Sequence, residues 1–391
     1  MFAKDILIKK RIIKNFIIVS VIGIALVSCG KHDDDKEIND ISFHTIFDQF
    51  WSGMSSKYVY WYKDSLEWNR IYFEYSNKFS KLDHSNSNDR VLAIDYFQKI
   101  ISPLIDGHFY LEFHEKELSG LRLYPKRAYL KRTNAHLLNY QYFSGNYYYA
   151  KNIESDIDQS AQILIGSIDD NLYYVGINNF NIGRTLTSNI NSKFKLTCKK
   201  LIDDLTSGTV NTKKLILDLR DNSGGDLADL NVIMPLLLER SLVIGSTRSK
   251  SSKDPFSYTP WIKTTINPSP VRTKSAPEHI AVLVNKNTSS LAEIFAISLS
   301  GLSNTNIIGE KTAGITGIQG DPKIFLSGSF DIPNFMTVNM TSLDYRSADN
   351  SNYEGVGLQP KTLIHIDTSD TVSNSDPYLE AAIKFLHEVK R

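Results

Sequence analysis

The stretch from Ala281 to Ser300 most constrains how this 391-residue chain can fold. It contains most of an apolar, β-branched run, Ile280–Val284, then a polar break, then apolar residues at helical spacing. This pattern predicts a buried strand, a tight turn and a helix. Ser290 would stand at or just inside the helix N-terminus, where backbone N–H groups lack partners and the helix dipole is positive. Such a place suits an activated hydroxyl and an oxyanion, although Ser is also a common helix cap.

The rest of the chain favours a globular protein with an α/β core. Strand and helix patterns alternate from about residue 165 to residue 310, as expected of an α/β fold. The chain is long enough for a large core and for more than one structural unit. A formal net charge of +1, without a clustered basic field, predicts no nucleic-acid partner.

The N-terminus has the pattern of a targeting segment. A basic region, Lys4–Lys14, precedes an apolar run, Phe16–Val27, which is shorter than the roughly 20 residues that a membrane-spanning helix needs. Small residues then lead to Cys29, which resembles a bacterial lipoprotein signal. We predict a signal peptide over residues 1–28 and lipidation of Cys29, which would anchor the protein in the cell envelope, at the outer membrane. A plain secretory signal with an incidental cysteine is the alternative.

Residues 29–41 are predicted to form a polar tether. Their Lys and acidic residues resemble the surface-export signal of Bacteroidetes lipoproteins, and a solvated spacer would have the same composition. The chain has only two cysteines, so lipidation of Cys29 would leave Cys198 without a partner. This excludes a disulfide framework and a cysteine-based zinc cluster, and we expect no metal and no cofactor. Cys198 is interpreted as a buried thiol.

Four further segments follow the tether. An aromatic stripe at helical spacing predicts a helical cap over 42–108. Alternating apolar and polar residues predict a β-rich segment over 109–162, the α/β core occupies 163–370, and 371–391 forms a terminal amphipathic helix.

Within the core, three local patterns carry less information. Leu227–Leu238 is predicted as a helix, and Lys323–Phe325 as a strand. Ser249–Lys274, rich in Ser, Thr and Pro, is predicted to be a long loop or lid near a cleft.

Three segments besides Ser290 carry residues suited to chemistry. Asp106-Gly107-His108 ends the helical region, although a lone His is usually structural. Residues 218–225 end in a diglycine, which lets backbone N–H groups approach a ligand but also suits a strand-to-helix turn. Glu354 lies among glycines that could direct its carboxylate, or it is an exposed turn residue.

Together, and in this order, these segments resemble the S41 family of serine peptidases, which includes the C-terminal processing proteases and the catalytic domain of the tricorn protease. The resemblance covers roughly residues 43–390 and implies a core of the ClpP/crotonase-like type. It rests on three motifs: the complete Asp-Leu-Arg-x-Asn-x-Gly-Gly run at 218–225, Ser290–Ala296, and Gly309–Gly314.

The resemblance also implies roles for individual residues. Ser290 would be the nucleophile and His108 the general base, which then acts as general acid to the leaving amine. Glu354 would orient or stabilise the charged imidazole, directly or through another group. The oxyanion hole would use the backbone N–H of Gly224 or Gly225 together with that of Leu291.

The family has two catalytic styles, and the residue after Gly314 separates them. Where the Ser–Lys style has a lysine this chain has Ile315, which cannot act as a base. The His-dependent style of the tricorn protease therefore fits better, and a Ser–Lys site using Lys311 is the less favoured alternative. One departure from that style is Gly107, which stands where the tricorn-like site has a serine.

The expected function is hydrolysis of a peptide or protein substrate by a serine peptidase at the cell envelope. The interval from Glu115 to Ile163 is short for a PDZ domain, so that domain is predicted to be absent or reduced. A different class, a non-catalytic module that binds peptides or small apolar ligands in the same fold, remains the alternative. The sequence does not set the oligomeric state.

Overall fold

The computed structural model describes residues 41–64, 67–129, 142–143, 147–151, 161–208, 210–364 and 375–389. The predicted signal peptide, Cys29 and the tether up to residue 40 lie outside these residues, so the structure does not bear on them. No helix in the described part of the chain is both long and apolar enough to cross a bilayer.

The described residues form strands that we number in chain order. They are β1 (Tyr110–Phe113), β2 (Arg122–Leu123), β3 (Tyr147–Lys151), β4 (Gln162–Asp169), β5 (Leu172–Ile177), β6 (Lys214–Asp218), β7 (Leu242–Arg248), β8 (Ile262–Ile266), β9 (His279–Val284), β10 (Thr305–Gly309), β11 (Phe330–Ile332), β12 (Met336–Asn339), β13 (Asp344–Arg346) and β14 (Thr362–Leu363).

The helices of the same residues are α1 (Phe43–Lys57), α2 (Trp68–Phe79), α3 (Ser87–Ile101), α4 (Ile182–Thr187), α5 (Lys193–Thr206), α6 (Leu230–Ile233), α7 (Leu291–Ser300) and α8 (Pro377–Glu388). Several begin at the residues that the sequence marks as caps. The side chains of Ser42, Asn86, Ser192 and Asp376 each accept a backbone N–H in the first turn of α1, α3, α5 and α8.

A seven-stranded sheet carries the core, in the order β14-β10-β9-β6-β5-β4-β3. The five strands from β14 to β5 run parallel, and β4 and β3 continue antiparallel. The central strands are almost wholly buried because their runs are apolar on both faces. Cys198 lies in this core and is fully buried, as predicted, and burial raises its thiol pKa to about 12. The mixed α/β architecture matches the predicted fold class.

The N-terminal helices pack into a second, aromatic core. Phe43, Phe47 and Phe50 of α1 are fully buried. Phe47 packs on Phe79 of α2, Phe50 packs on Phe97 of α3, and Phe43 packs on His84 and Phe335. This cap is joined to the rest of the chain by a four-stranded sheet of order β11-β12-β1-β2. The predicted β-rich segment 109–162 is therefore divided: β1 and β2 belong to this sheet, and β3 to the seven-stranded one.

Three local predictions differ from the structure. The helix expected over Leu227–Leu238 is broken into the short α6 and flanking 3₁₀ turns, because Pro235 cannot donate a backbone hydrogen bond. The Ser249–Lys274 loop contains β8, an edge strand that pairs with β7 but has four of its five residues exposed, so it shows no apolar alternation. Lys323–Phe325 is a turn whose backbone Lys323 N–H bonds the side chain of Asp321.

Candidate active site

Ser290 stands between β9 and α7 in a strained conformation. Its φ of 55° and ψ of −128° are rare for a residue with a side chain. It occupies the helix N-cap position, yet its side chain makes no capping hydrogen bond. Its Oγ lies instead 3.1 Å from Nε2 of His108, a residue 182 positions away in sequence. The hydroxyl is therefore free of the capping role that the local sequence also suggested.

The loop before Ser290 is held by the run that follows β6. Ser289 donates its backbone N–H to Asn222 O at 3.0 Å, and Thr288 donates its hydroxyl to Leu219 O at 2.8 Å. The Asn222 side chain, fully buried, donates to Ile177 O on the neighbouring strand. The Asp-Leu-Arg-x-Asn-x-Gly-Gly run thus serves as the support on which the Ser290 turn rests.

Arg220, within the run 218–225, anchors this run through ion pairs. The Arg220 side chain is 2% exposed, and its guanidinium forms bidentate ion pairs with Asp218 and with Asp376. Asp376 also caps α8, so the terminal helix is tied to the loop beneath the site. Bidentate Arg–carboxylate pairs fix geometry strongly, which explains why Lys would not substitute here.

The diglycine contacts Ser290 directly. Gly224 has a φ of 101°, and a Cβ there would lie 2.6 Å from the Ser290 Cβ. A Cβ on Gly225 would lie 2.0 Å from Phe180 O, so neither position tolerates a side chain.

The structure separates the two glycines that the sequence offered for an oxyanion hole. The N–H of Gly224 donates to Asn222 Oδ1 at 2.8 Å, so it is already engaged and Gly224 is corrected to a spacing role. Gly225 and Leu291 both line the cleft that contains Ser290. Neither of their N–H groups has a partner within the described ranges.

Asp106 fixes the turn that presents His108. The Asp106 carboxylate is fully buried and accepts the His108 N–H at 2.9 Å, the Thr341 N–H at 2.9 Å and the Thr341 hydroxyl at 2.8 Å. His108 Nδ1, the ring nitrogen that faces away from Ser290, has no hydrogen-bond partner among the residues that the structure describes. The described contacts therefore fix the backbone of His108 through Asp106, and the ring itself is bonded only through Nε2.

Gly107 is explained by its contact with Ile315. A Cβ on Gly107 would lie 2.4 Å from Cγ1 of Ile315, so a serine at position 107 would collide with it. The Ile315 carbonyl in turn accepts the Ser290 N–H at 2.7 Å. Lys311, the alternative base, is exposed and is not among the residues that line the cleft.

Glu354 is a buried carboxylate that binds backbone N–H groups. Its Oε1 accepts from Gly107 at 2.9 Å, and its Oε2 accepts from Thr316 at 2.6 Å and from Gly317 at 2.9 Å. Burial raises its pKa, the Asp106 charge adds to the rise, and Arg127, whose Nη1 lies 3.9 Å away, opposes it. The contact from Glu354 toward His108 therefore runs through the Gly107 peptide and not directly to the ring.

Two residues that the sequence analysis gave no role complete the framework. Glu293, fully buried on α7, accepts the Gly314 N–H at 2.7 Å and the Ile315 N–H at 2.8 Å. Burial raises its pKa to about 7, although the hydrogen bonds from these two donors act to lower it. Arg127 donates to Gly314 O at 2.8 Å and also to Ile105 O, which joins the loop to the segment before His108. The available signal for Glu293 was that it is the single charged residue of a mostly apolar helix.

Ser290 and His108 lie at a cleft of about 460 Å³. A smaller, mostly apolar pocket of about 160 Å³ adjoins it and shares Leu227, Ile294 and Ile318 with the cleft wall. No group of three or more His, Cys, Asp or Glu side chains in the described residues is arranged to hold a metal ion. A serine hydroxyl within reach of an imidazole, beside unpaired backbone N–H groups, is typical of serine hydrolases.

Sequence comparison agrees with that class. Residues 171–364 match the model of peptidase family S41, so the chain carries a peptidase family S41 domain. The nisin-resistance protein of Lactococcus lactis subsp. lactis is 24% identical over 330 residues, which cover 83% of each chain. Carboxyl-terminal-processing peptidase 2 of Arabidopsis thaliana is 27% identical over 185 residues. That alignment covers 47% of this chain and 32% of the relative, so it spans about a third of the chloroplast protein.

Solved structures share the fold. A candidate peptidase from Parabacteroides merdae superimposes with a TM-score of 0.59 at 20% identity, covering 87% of this chain and 95% of that one. Mature CPAF gives a TM-score of 0.59 at 13% identity, with 89% and 96% covered. The fold is thus that of S41 proteases, a family of serine peptidases.

Proposed function

We propose that this protein is a serine peptidase that cleaves peptide bonds through an acyl-enzyme on Ser290. The observation that carries the proposal is the 3.1 Å contact between Ser290 Oγ and His108 Nε2, made at the wall of a cleft by residues from distant parts of the chain. Such a pair is what an activated hydroxyl requires.

The geometry supports the following sequence of steps. His108 Nε2 takes the proton from Ser290 Oγ as the oxygen attacks the substrate carbonyl. The developing oxyanion accepts hydrogen bonds from the N–H groups of Gly225 and Leu291. His108 then gives the proton to the leaving amine, and a water molecule repeats the same steps on the acyl-enzyme. Glu354 holds the Gly107 peptide, and its negative charge favours the imidazolium form.

The adjoining apolar pocket supports a preference among substrates. Its wall includes Ile244, Leu343 and Tyr345, and it opens beside Ile294 and Ile318 of the cleft. We infer that it receives an apolar side chain of the substrate near the cleaved bond.

A fluorophosphonate probe tests the nucleophile. The wild-type protein should be labelled on Ser290, and Ser290→Ala should not be labelled although it melts at the same temperature. Absence of labelling in the folded wild type would favour the non-catalytic binding module. Labelling that persists in Ser290→Ala would place the nucleophile elsewhere.

We also propose that the protein is anchored in the cell envelope by a lipid on Cys29. The order of basic region, apolar run and cysteine supports this. A lipoprotein of Streptococcus agalactiae shares the fold, with a TM-score of 0.50 at 14% identity over 94% of this chain and 99% of that one. Cys29→Ser should move the protein from the membrane fraction to the soluble one, and unchanged fractionation would refute the anchor.

A further inference from the structure

Asn181, at the start of α4, has a buried side chain whose amide pairs with no other described residue. The residue is 4% exposed, and neither its Oδ1 nor its Nδ2 has a hydrogen-bond partner among the described residues. Burying an amide without partners destabilises a fold, so most buried amides are paired. The Asn181 amide is therefore available to a partner from outside the described residues.

The capping role that an Asn in this position would normally fill is taken by another residue. Asp229, fully buried, accepts the Ile182 and Gly183 N–H groups, each at 2.7 Å. A Cβ on Gly183 would lie 2.9 Å from Asp229 Oδ1, so the glycine admits this carboxylate. The Asn181 side chain, which makes no capping bond, is thereby released.

Asn181 also belongs to the wall of the candidate active site's cleft. Asn181 lines that cleft together with Ser290, His108 and Gly225. Phe180, the residue before Asn181, is hydrogen-bonded to the diglycine segment. Its N–H donates to Gly224 O at 2.7 Å, and its carbonyl accepts the Asp226 N–H at 2.6 Å. Asn181 is therefore held beside the proposed oxyanion site.

An Asn side chain presents one carbonyl oxygen and two N–H donors in a single plane. This arrangement complements a peptide unit, which offers one N–H and one C=O, as in strand-addition modes of peptide binding. We propose that Asn181 binds a backbone amide of the substrate close to the cleaved bond, and so selects an extended peptide chain over small esters. This rests on the proposed peptidase function and assigns a substrate-binding residue within it.

The test compares two variants of Asn181 with a matched control variant on the same helix. Asn181→Leu removes the amide at similar volume, and Asn181→Ala keeps the cleft open. Thr185→Val is the control: Thr185 Oγ1 is also buried without a partner on α4, but Thr185 does not line the cleft. The substrates are two sets of internally quenched peptide pools. One set contains Asn and Gln, and the other set contains neither.

Both Asn181 variants should raise KM by about 10- to 100-fold while kcat stays within about two-fold, because uniform binding is lost. Labelling by a fluorophosphonate, which has no peptide backbone, should be unchanged. The melting temperature of Asn181→Leu should equal or exceed that of the wild type, since an unpaired buried amide is removed. Thr185→Val should match the wild type in KM, kcat and labelling, and its melting temperature should likewise equal or exceed that of the wild type.

Three results would overturn the inference. Unchanged KM in both Asn181 variants would mean that solvent, not substrate, pairs with the amide. A lowered melting temperature with activity falling in parallel would mean a structural role. An effect confined to pools containing Asn or Gln would mean recognition of a side-chain carboxamide and not of the backbone.

A binding assay separates this inference from the proposed function. In a Ser290→Ala background, peptide pools are titrated by fluorescence anisotropy with and without Asn181→Ala. If the wild type is not labelled but peptide binding still depends on Asn181, the peptidase proposal fails and the binding role stands. If the wild type is labelled and binding ignores Asn181, only the Asn181 role is lost.

Discussion

The two walls of the cleft are built in different ways. The serine wall, residues 218–225 with 285–291, follows adjacent parallel strands. Hydrogen bonds between neighbouring turns and the ion pairs of Arg220 with Asp218 and Asp376 add to this support. The histidine wall, residues 106–108 with 312–317 and 354, gathers segments that no strand pairing joins. There, buried carboxylates accept backbone N–H groups from distant parts of the chain. Strand pairing and the Arg220 ion pairs support the serine wall, whereas the described segments of the histidine wall have no strand pairing and depend on buried carboxylates that bind backbone N–H groups.

The largest expected effect comes from removing a reacting group from either wall. Ser290→Ala and His108→Ala should each lower kcat/KM by about 10⁴- to 10⁶-fold, because nucleophile and base act as one unit. Their melting temperatures should stay close to the wild type. Lys311→Ala is the control and should keep most of the activity. Loss of activity in Lys311→Ala with retention in His108→Ala would assign the site to the Ser–Lys style.

Glu293, which lies on α7 and holds the loop of the histidine wall, should make the stability of that wall depend on pH. Burial raises its pKa to about 7, so the folded protein binds this proton more tightly than the unfolded chain does. The resulting stabilisation is complete below the unfolded pKa and is lost as pH rises through 7. Relative to Glu293→Gln, the wild-type free energy of unfolding should fall by about 2 to 3 kcal/mol from pH 5 to pH 8.

Denaturant unfolding of both proteins at the two pH values measures this difference. Equal pH dependence in the wild type and Glu293→Gln would show that Glu293 does not change its protonation state in this range.

Glu354→Gln tests whether charge is needed on the histidine wall. A neutral amide accepts at one end only, so its NH₂ group would face the N–H of Gly107 or those of Thr316 and Gly317. The variant should lose about 2 kcal/mol of stability and about 10- to 100-fold in kcat. Thermal unfolding and steady-state kinetics measure both. Full activity with wild-type stability would remove the carboxylate from the scheme.

Thr288→Val makes the matched change on the serine wall and should have the smallest effect. It removes two neutral hydrogen bonds, the one that the Thr288 hydroxyl donates to Leu219 O and the one that it accepts from the Asn285 N–H, so the cost should be about 1 to 2 kcal/mol. Its kcat should fall less than that of Glu354→Gln because strand pairing still holds the Ser290 turn. A larger loss in Thr288→Val than in Glu354→Gln would reverse the contrast between the walls.

The serine wall could be predicted from sequence more fully than the histidine wall. Strand, turn and helix around Ser290 are local patterns, and the diglycine run marks its own support. The 3.1 Å contact of Ser290 with His108 spans 182 residues and depends on how the cap packs, which no local pattern encodes. The motif order supplied the candidate, and the structure supplied the distance.

Other features depended on contacts that residue type does not reveal. Gly224 and Gly225 look alike in sequence. They differ in the structure because the Asn222 side chain accepts the Gly224 N–H and leaves the Gly225 N–H without a partner in the described residues. The sequence around Asn181 is typical of a helix cap, but in the structure the Asp229 carboxylate accepts the N–H groups of the first turn. The strand β8 was missed because an exposed edge strand need not alternate.

Gly107 and Ile315, which both belong to the histidine wall, compete for one volume. The space that a side chain at 107 would need is filled by Ile315. A change at either position therefore alters what the other can accept. A residue with a side chain at position 107 would therefore fit only beside a smaller residue at position 315, and the two positions are expected to change as a pair.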